Sequence, residues 1–286
     1  MKQRIHAILT DYDGTLVPTA NVKNPEANTV ARELEQTLEK VSIDIPICII
    51  STKDFNFLKN KTAFARILSC MVGIETLVLA NDASSRIIEK RLLCADLAVL
   101  RTNSRVLESI SEEIFSYEDF SDMVVERKHT SDGTLAGLTI DWRHLLSDDW
   151  SYYRRGITHF ISSIVTNLRK SPVPVDMYVQ KYSTHPFVDI YSTESNKGMA
   201  FDTVIAELGY SAADSEGTLY LGDSENDNSA FRRAGISIGI RSDPRLNPKL
   251  DCSYFLDYEQ LSSFLMKLRN NGYLFNDELL LEKAYE

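Results

Sequence analysis

The chain opens with a short apolar run, Ile5 to Leu9, that stops abruptly at Thr10-Asp11-Tyr12-Asp13-Gly14. A buried strand giving way to a loop fits that pattern. Asn24-Pro25 offers an N-cap followed by a first-turn proline, and Val30, Leu34 and Leu38 fall at helical spacing, which predicts a helix to about Lys40. Ile45 to Ile50 is a second apolar run, ending in Ser51-Thr52-Lys53-Asp54, with a helix expected after it through about Leu68. Thr76 to Ala80 predicts a third strand ending in Asn81-Asp82, which reads as a turn cap. Apolar strands alternating with helices predict a parallel sheet covered on both faces.

The pattern changes in the middle of the chain. Met123 to Lys128 and Leu135 to Trp142 predict two strands joined through Asp132-Gly133, a hairpin signal. Ser147-Asp148-Asp149 precedes a long helical stretch to about Lys170, where Pro172 and Pro174 end it. Val175 to Gln180 and Phe187 to Tyr191 predict two further strands. The α/β pattern then returns: a helix from about Gly198 to Leu208, a strand Thr218 to Leu221, a short helix ending near Ala234-Gly235, a strand Ile236 to Ile240, and a helix through Leu261 to Arg269. The fold class is α/β: a Rossmann-like parallel-sheet core made of residues 1–83 and 191–286, with an α+β domain inserted at 84–190.

Composition narrows the function more than the fold. At 43% hydrophobic and 25% charged the chain reads as globular rather than disordered. Its formal charge of -10 argues against nucleic acid and against an anionic membrane surface, and most of the acidic excess lies outside the inserted segment. No run approaches a signal h-region or a membrane span, so the expectation is a cytoplasmic protein. Cys48, Cys70, Cys94 and Cys252 are far apart and read as buried, reduced thiols. The five histidines stand at unrelated spacings and read as packing or surface residues.

In a parallel sheet, ligands bind outside the carboxyl ends of the strands. Directly after the apolar runs stand Asp11 and Asp13, then Ser51 and Thr52, then Asp223 through Asp227, while Lys197 opens a helix. Four carboxylates gathered at one sheet edge repel, so either some are protonated or a cation sits among them. Oxygen ligands without His or Cys point to Mg²⁺. On the inserted strands, Glu126, Lys128, Asp141 and Arg143 form a polar face suited to sugar hydroxyls, or simply to solvent.

The segments Asp11-Tyr-Asp-Gly-Thr-Leu16, Ser51 at a strand end, Lys197-Gly198 and Gly222-Asp-Ser-Glu-Asn-Asp227 together resemble the four motifs of the haloacid-dehalogenase-like (HAD) phosphohydrolases, in order and spacing. The insertion between the second and third motifs resembles the large α+β cap of the sugar-phosphatase branch, and Val125 to Lys128, Leu138 to Arg143 and Trp150 are similar to the trehalose-6-phosphate phosphatases. That resemblance implies Asp11 as nucleophile, Asp13 as general acid and base, Ser51 as a donor to the phosphoryl group and Lys197 as its counter-charge. It implies Mg²⁺ held by Asp11, the Asp13 carbonyl and Asp223, with Asp227 as a further or indirect ligand. Thr52, Glu126, Lys128 and Arg143 are the candidates for substrate binding, and the substrate is a small sugar phosphate.

One departure touches specificity. The trehalose-6-phosphate phosphatases usually carry Ser-Gly-Arg after the second strand, whereas this chain has Ser51-Thr52-Lys53. Phosphatases of the sucrose-phosphate or mannosyl-3-phosphoglycerate type and phosphomutases are the alternatives within the superfamily. A receiver-like signalling module is the alternative outside it, disfavoured by the first-strand position of Asp11 and by the insertion.

Overall fold

A computed structural model describes residues 2–18, 23–24, 26, 28–80, 87–116, 120–169, 177–211 and 213–280. In chain order the strands are β1 (Gln3–Arg4), β2 (Ala7–Thr10), β3 (Ile47–Ile50), β4 (Ile67–Cys70), β5 (Glu75–Leu79), β6 (Ile88–Leu93) and β7 (Val124–His129). There follow β8 (Leu135–Asp141), β9 (Tyr178–Lys181), β10 (Phe187–Tyr191), β11 (Thr218–Gly222), β12 (Ile236–Arg241), β13 (Tyr254–Asp257) and β14 (Leu274–Phe275). The helices are α1 (Arg32–Ser42), α2 (Phe55–Leu58), α3 (Leu97–Ser116), α4 (Trp150–Arg169), α5 (Lys197–Glu207), α6 (Asn228–Phe231) and α7 (Leu261–Asn270).

Eight strands form the large sheet in the order β13-β12-β11-β2-β3-β4-β5-β6. Pairings from β13 across to β4 are parallel. The β4–β5 and β5–β6 pairings are antiparallel, so the sheet is mixed rather than wholly parallel as expected. All four residues of β2 and of β3 are buried, as strands covered on both faces require. One apolar layer, including Leu34, Leu38, Phe264 and Leu268, lies beneath α1 and α7. The other, including Phe201, Val204, Tyr220 and Phe231, lies beneath α5 and α6.

β7, β8, β10 and β9 form a second, antiparallel sheet in that order. Its apolar face packs under α3 and α4 through Leu107, Ile110, Trp142, Trp150, Ile157 and Ile161. β10 leads back into the large domain, and Asn103 on α3 donates to the Ser192 carbonyl at that passage (2.5 Å). The boundary expected at 83/84 falls within residues 81–86, outside the described residues, as do Asn81, Asp82, Pro25, Pro172 and Pro174. β6, which follows that segment, still pairs with the large sheet.

Three expectations need correction. Ile67–Cys70 is a strand, not the end of a helix, because its four buried residues pair with both β3 and β5. Helix α1 starts at Arg32, because the Asn28 carbonyl is taken by the Tyr12 hydroxyl and the Lys61 ammonium, which ties that stretch to the loop after β2. Among the cysteines only Cys48 and Cys70 are buried; Cys252 is half-buried and Cys94 is exposed. No described helix is long and apolar enough to cross a membrane.

Candidate active site

The exits of β2, β3 and β11 lie side by side, where chain order reverses across β2. Asp11 leaves β2 with its amide donating to the Leu221 carbonyl of β11 (2.9 Å), so one ladder bond locks two acidic loops together. Its Oδ1 accepts from the Tyr12 amide (2.7 Å), and its Oδ2 lies 2.6 Å from Lys197 Nζ. Gly14 turns the loop at φ +80°, and a Cβ built there would overlap the Asp223 carboxylate. Gly14→Ala is therefore expected to lower stability by about 1–3 kcal/mol and to weaken activity, read by chemical denaturation. Wild-type stability in that variant would contradict the packing of Asp223 against the turn.

Asp223 Oδ1 accepts from the Thr15 hydroxyl (3.1 Å). Lys197, fully buried at the start of α5 behind the Asn196 N-cap, reaches Asp227 Oδ1 (2.7 Å) as well as Asp11. Asp227 is fully engaged: its Oδ1 also accepts from the Tyr220 hydroxyl (2.7 Å), and its Oδ2 from the amides of Asp223 (3.2 Å) and Ser224 (3.0 Å). Carboxylate oxygens of Asp11, Asp223 and Asp227 lie within 4.8 Å of one another, close enough to hold one metal ion.

These groups perturb each other as burial and charge require. Burial raises Asp11 to about 7, with Lys197 opposing and Asp227 adding to the rise. Burial, then Asp11 and Asp227, raises Asp223 well above the usual carboxylate range. Burial alone would lower Lys197, but Asp11 and Asp227 outweigh it and hold the ammonium above its ordinary value.

Ser51 is buried at the exit of β3, where its hydroxyl accepts from the Lys53 amide (3.1 Å). The turn after β4 supports this loop: the Met71 amide donates to the Lys53 carbonyl and the Val72 amide to that of Ser51. The Ser195 hydroxyl, just before α5, donates to the Val72 carbonyl (2.8 Å), so one turn braces two motif loops.

The second sheet closes over this edge. Lys53 Nζ, missed in the sequence as a site residue, bonds Glu126 Oε2 of β7 (2.7 Å) and lies 3.5 Å from Asp13 Oδ2. Asn28 Nδ2 donates to Asp13 Oδ1 (2.6 Å). Lys53, Lys128 and Arg143 overcome the effect of burial and hold Glu126 down at about 2. Arg143 pairs with Asp141 (2.6 Å) and lies over the Phe187 ring. Asp11, Asp13, Thr52, Glu126, Arg143 and Asp223 thus line one cavity of about 40 Å³. Lys128 does not line it: fully buried, it pairs with Asp189 (3.1 Å), which itself faces the cavity.

The sequence reading also missed the loop after β9. The Tyr182 hydroxyl donates to Asp189 Oδ2 (2.7 Å) and accepts from Asn226 Nδ2 (3.0 Å), so the loop after β9 meets the acidic loop directly. The Ser183 amide donates to Glu225 (3.1 Å). His185, expected to be a packing or surface residue, lines the cavity. Its loop carries no motif spacing that could have singled it out.

A family model for sucrose-6F-phosphate phosphohydrolases matches residues 147–247. A trehalose 6-phosphate phosphatase of Zea mays is 24% identical over 274 residues, 91% of this chain and 68% of its own length. The C-terminal domain of a trehalose-6-phosphate phosphatase from C. albicans aligns with TM-score 0.64 at 18% identity, over 94% of this chain and 93% of that one. A HAD-superfamily phosphatase from Bacteroides thetaiotaomicron aligns with TM-score 0.57 at 12% identity, over 94% and 96%. In fold the chain is similar to phosphatases of the HAD superfamily, and in sequence to phosphoric monoester hydrolases. Among these, the chain resembles the trehalose-6-phosphate phosphatases in both sequence and fold.

Proposed function

We propose that the protein is a Mg²⁺-dependent sugar-phosphate phosphatase working through an aspartyl-phosphate on Asp11, with trehalose 6-phosphate as its first candidate substrate. The observation that carries this reading is Asp11 at a strand exit, 2.6 Å from a fully buried lysine and facing the acidic loop of Asp223. The donor set suits a hard divalent cation: of three close carboxylates two pair with one lysine, and burial resists ionisation of Asp11 and Asp223. Asp11, Asp223 and the Asp13 carbonyl would hold Mg²⁺. When bound, the ion supplies positive charge that offsets the carboxylates and stabilises the transferring phosphoryl oxygens.

The residues of the chain then divide the work. Asp11 attacks phosphorus, the bond from phosphorus to the sugar oxygen breaks, and that oxygen takes a proton from Asp13. Water opens the aspartyl-phosphate as Asp13 accepts its proton, which restores both carboxyls. Asn28 and Lys53 orient Asp13. Lys197 steadies Asp11 and neutralises phosphoryl charge, and Ser51 donates to a phosphoryl oxygen. Asp227, with both oxygens engaged, holds Lys197 and the loop rather than offering an open ligand position.

A cavity of about 40 Å³ admits little more than a water, so the cap lifts from the core to take in a sugar phosphate. Thr52, Glu126 and Arg143 meet the substrate, while Lys128 acts behind Asp189. Sucrose 6F-phosphate is the second candidate, favoured by the family match over residues 147–247.

Phosphate release from a panel of sugar phosphates, trehalose 6-phosphate and sucrose 6F-phosphate first, tests the reading. Turnover is expected with Mg²⁺, lost in EDTA and restored by added Mg²⁺. Full activity in chelator, or none on any sugar phosphate, would overturn it. The pH sets a further expectation. Asp11 is raised from 3.8 in the unfolded chain to about 7 in the fold, so metal-free stability is fully present below about pH 4 and falls as the pH rises to 7. Mg²⁺ needs the ionised carboxylates, so its stabilisation is expected to be larger at pH 7 than at pH 5 in thermal unfolding. An equal shift at both pH values would contradict this.

A further inference from the structure

We propose that His185 hydrogen-bonds a hydroxyl of the leaving group and is thereby a specificity-determining residue of this site; the inference rests on the phosphatase reading above. His185 stands in the loop between β9 and β10, on the cap, and its side chain reaches the core side of the cavity. The residue is 3% exposed, and its Nε2 has no hydrogen-bond partner among the described residues. A buried polar nitrogen left unpaired destabilises the fold, so an orphan of this kind that faces a cavity points to a partner that arrives with the ligand.

The ring is aimed by its surroundings. The Arg154 guanidinium donates to the Thr184 carbonyl (2.7 Å) and the His185 carbonyl (3.1 Å), pinning the backbone. Tyr182 and Phe187 flank the imidazole edge-on, with centroids at 5.7 and 5.4 Å. Nδ1 lies 3.5 Å from the Thr184 hydroxyl, which leaves Nε2 as the atom presented to the cavity. Nε2 is 4.0 Å from Asp223 Oδ2, too far for a direct hydrogen bond.

A hydroxyl fits this atom better than a phosphoryl oxygen does. Phosphoryl charge is met from the core side by Lys197 and Ser51, whereas His185 approaches from the cap. A neutral imidazole offers one donor and one acceptor, and a hydroxyl can answer either.

The experiment compares wild type, His185→Phe and His185→Gln on the sugar phosphate turned over fastest, trehalose 6-phosphate first, and on p-nitrophenyl phosphate, whose leaving group has no hydroxyl on its ring before release. For His185→Phe, the fall in kcat/KM on the sugar phosphate is expected to exceed that on p-nitrophenyl phosphate by about 10-fold, with part recovered by His185→Gln. Equal falls on both substrates, or none on the sugar, overturn the proposal. Calorimetry of trehalose 6-phosphate with Mg²⁺ on Asp11→Asn and on Asp11→Asn/His185→Phe reads the contact without turnover. A Kd weakened about 10-fold supports the contact, and an equal Kd or no binding overturns it. Absence of wild-type turnover on every sugar phosphate, with the Kd difference intact, would sink the phosphatase reading alone. Should the Phe variant not fold, the Gln variant and its Kd carry the same test.

Discussion

Asp11→Asn is expected to abolish Mg²⁺-dependent phosphate release, by about 10⁴-fold or more, while the protein stays folded. The substitution removes the oxygen proposed to attack phosphorus and changes almost nothing in shape. The side-chain carbonyl of the introduced amide can still accept from the Tyr12 amide, and the backbone bond to Leu221 is untouched. Stability should hold, because the carboxyl it replaces is one that burial already resists ionising. Lys197 keeps Asp227 as its partner. The measurements are single-turnover phosphate release and thermal unfolding. Wild-type-like turnover by a folded Asp11→Asn protein would sink the aspartyl-phosphate mechanism.

Lys197→Met is expected to cost both stability and activity. Met fills much of the same volume without the charge. Two buried carboxylates, Asp11 and Asp227, are then left facing each other without the ammonium that lies 2.6 and 2.7 Å from them. Breaking a buried ion pair by removing one partner destabilises by about 3–5 kcal/mol. Loss of the charge proposed to meet the phosphoryl group should lower kcat by about 10²–10³-fold. Mg²⁺ should recover part of the stability by supplying positive charge to the same carboxylates, and little of the rate. Denaturant unfolding with and without Mg²⁺, together with kcat, separates the two effects. A variant as stable and as active as wild type would remove Lys197 from the scheme.

The motif residues were legible because each sits within a few residues of a strand exit. An apolar run that breaks into Asp11-Tyr-Asp-Gly14 announces both the strand and the loop chemistry, and the same holds for Ser51 and for Asp223. Their convergence followed from one inference, that the strands are parallel, which is true of the six from β13 to β4. The inference failed where periodicity is silent. Ile67–Cys70 is a short, mostly apolar stretch that suits a helix or a strand equally, and only pairing with β3 and β5 decides. The direction of β5 and β6 leaves no trace in their residues at all.

Local spacing thus determined the α/β class and singled out the carboxylates, serine and lysine as candidates. Tertiary structure alone decided which polar residues of the cap face them. Glu126 and Lys128 lie two apart on one strand, yet Glu126 reaches Lys53 at the cavity while Lys128 is buried and paired with Asp189 of β10. Lys53 finds Glu126 across 73 positions and Asn226 finds Tyr182 across 44. His185 gains its place only because its loop descends onto Asp223. Short-range order is written in turn chemistry and apolar periodicity. Contacts between the two sheets depend on how they dock, and no residue's own neighbours in sequence encode that.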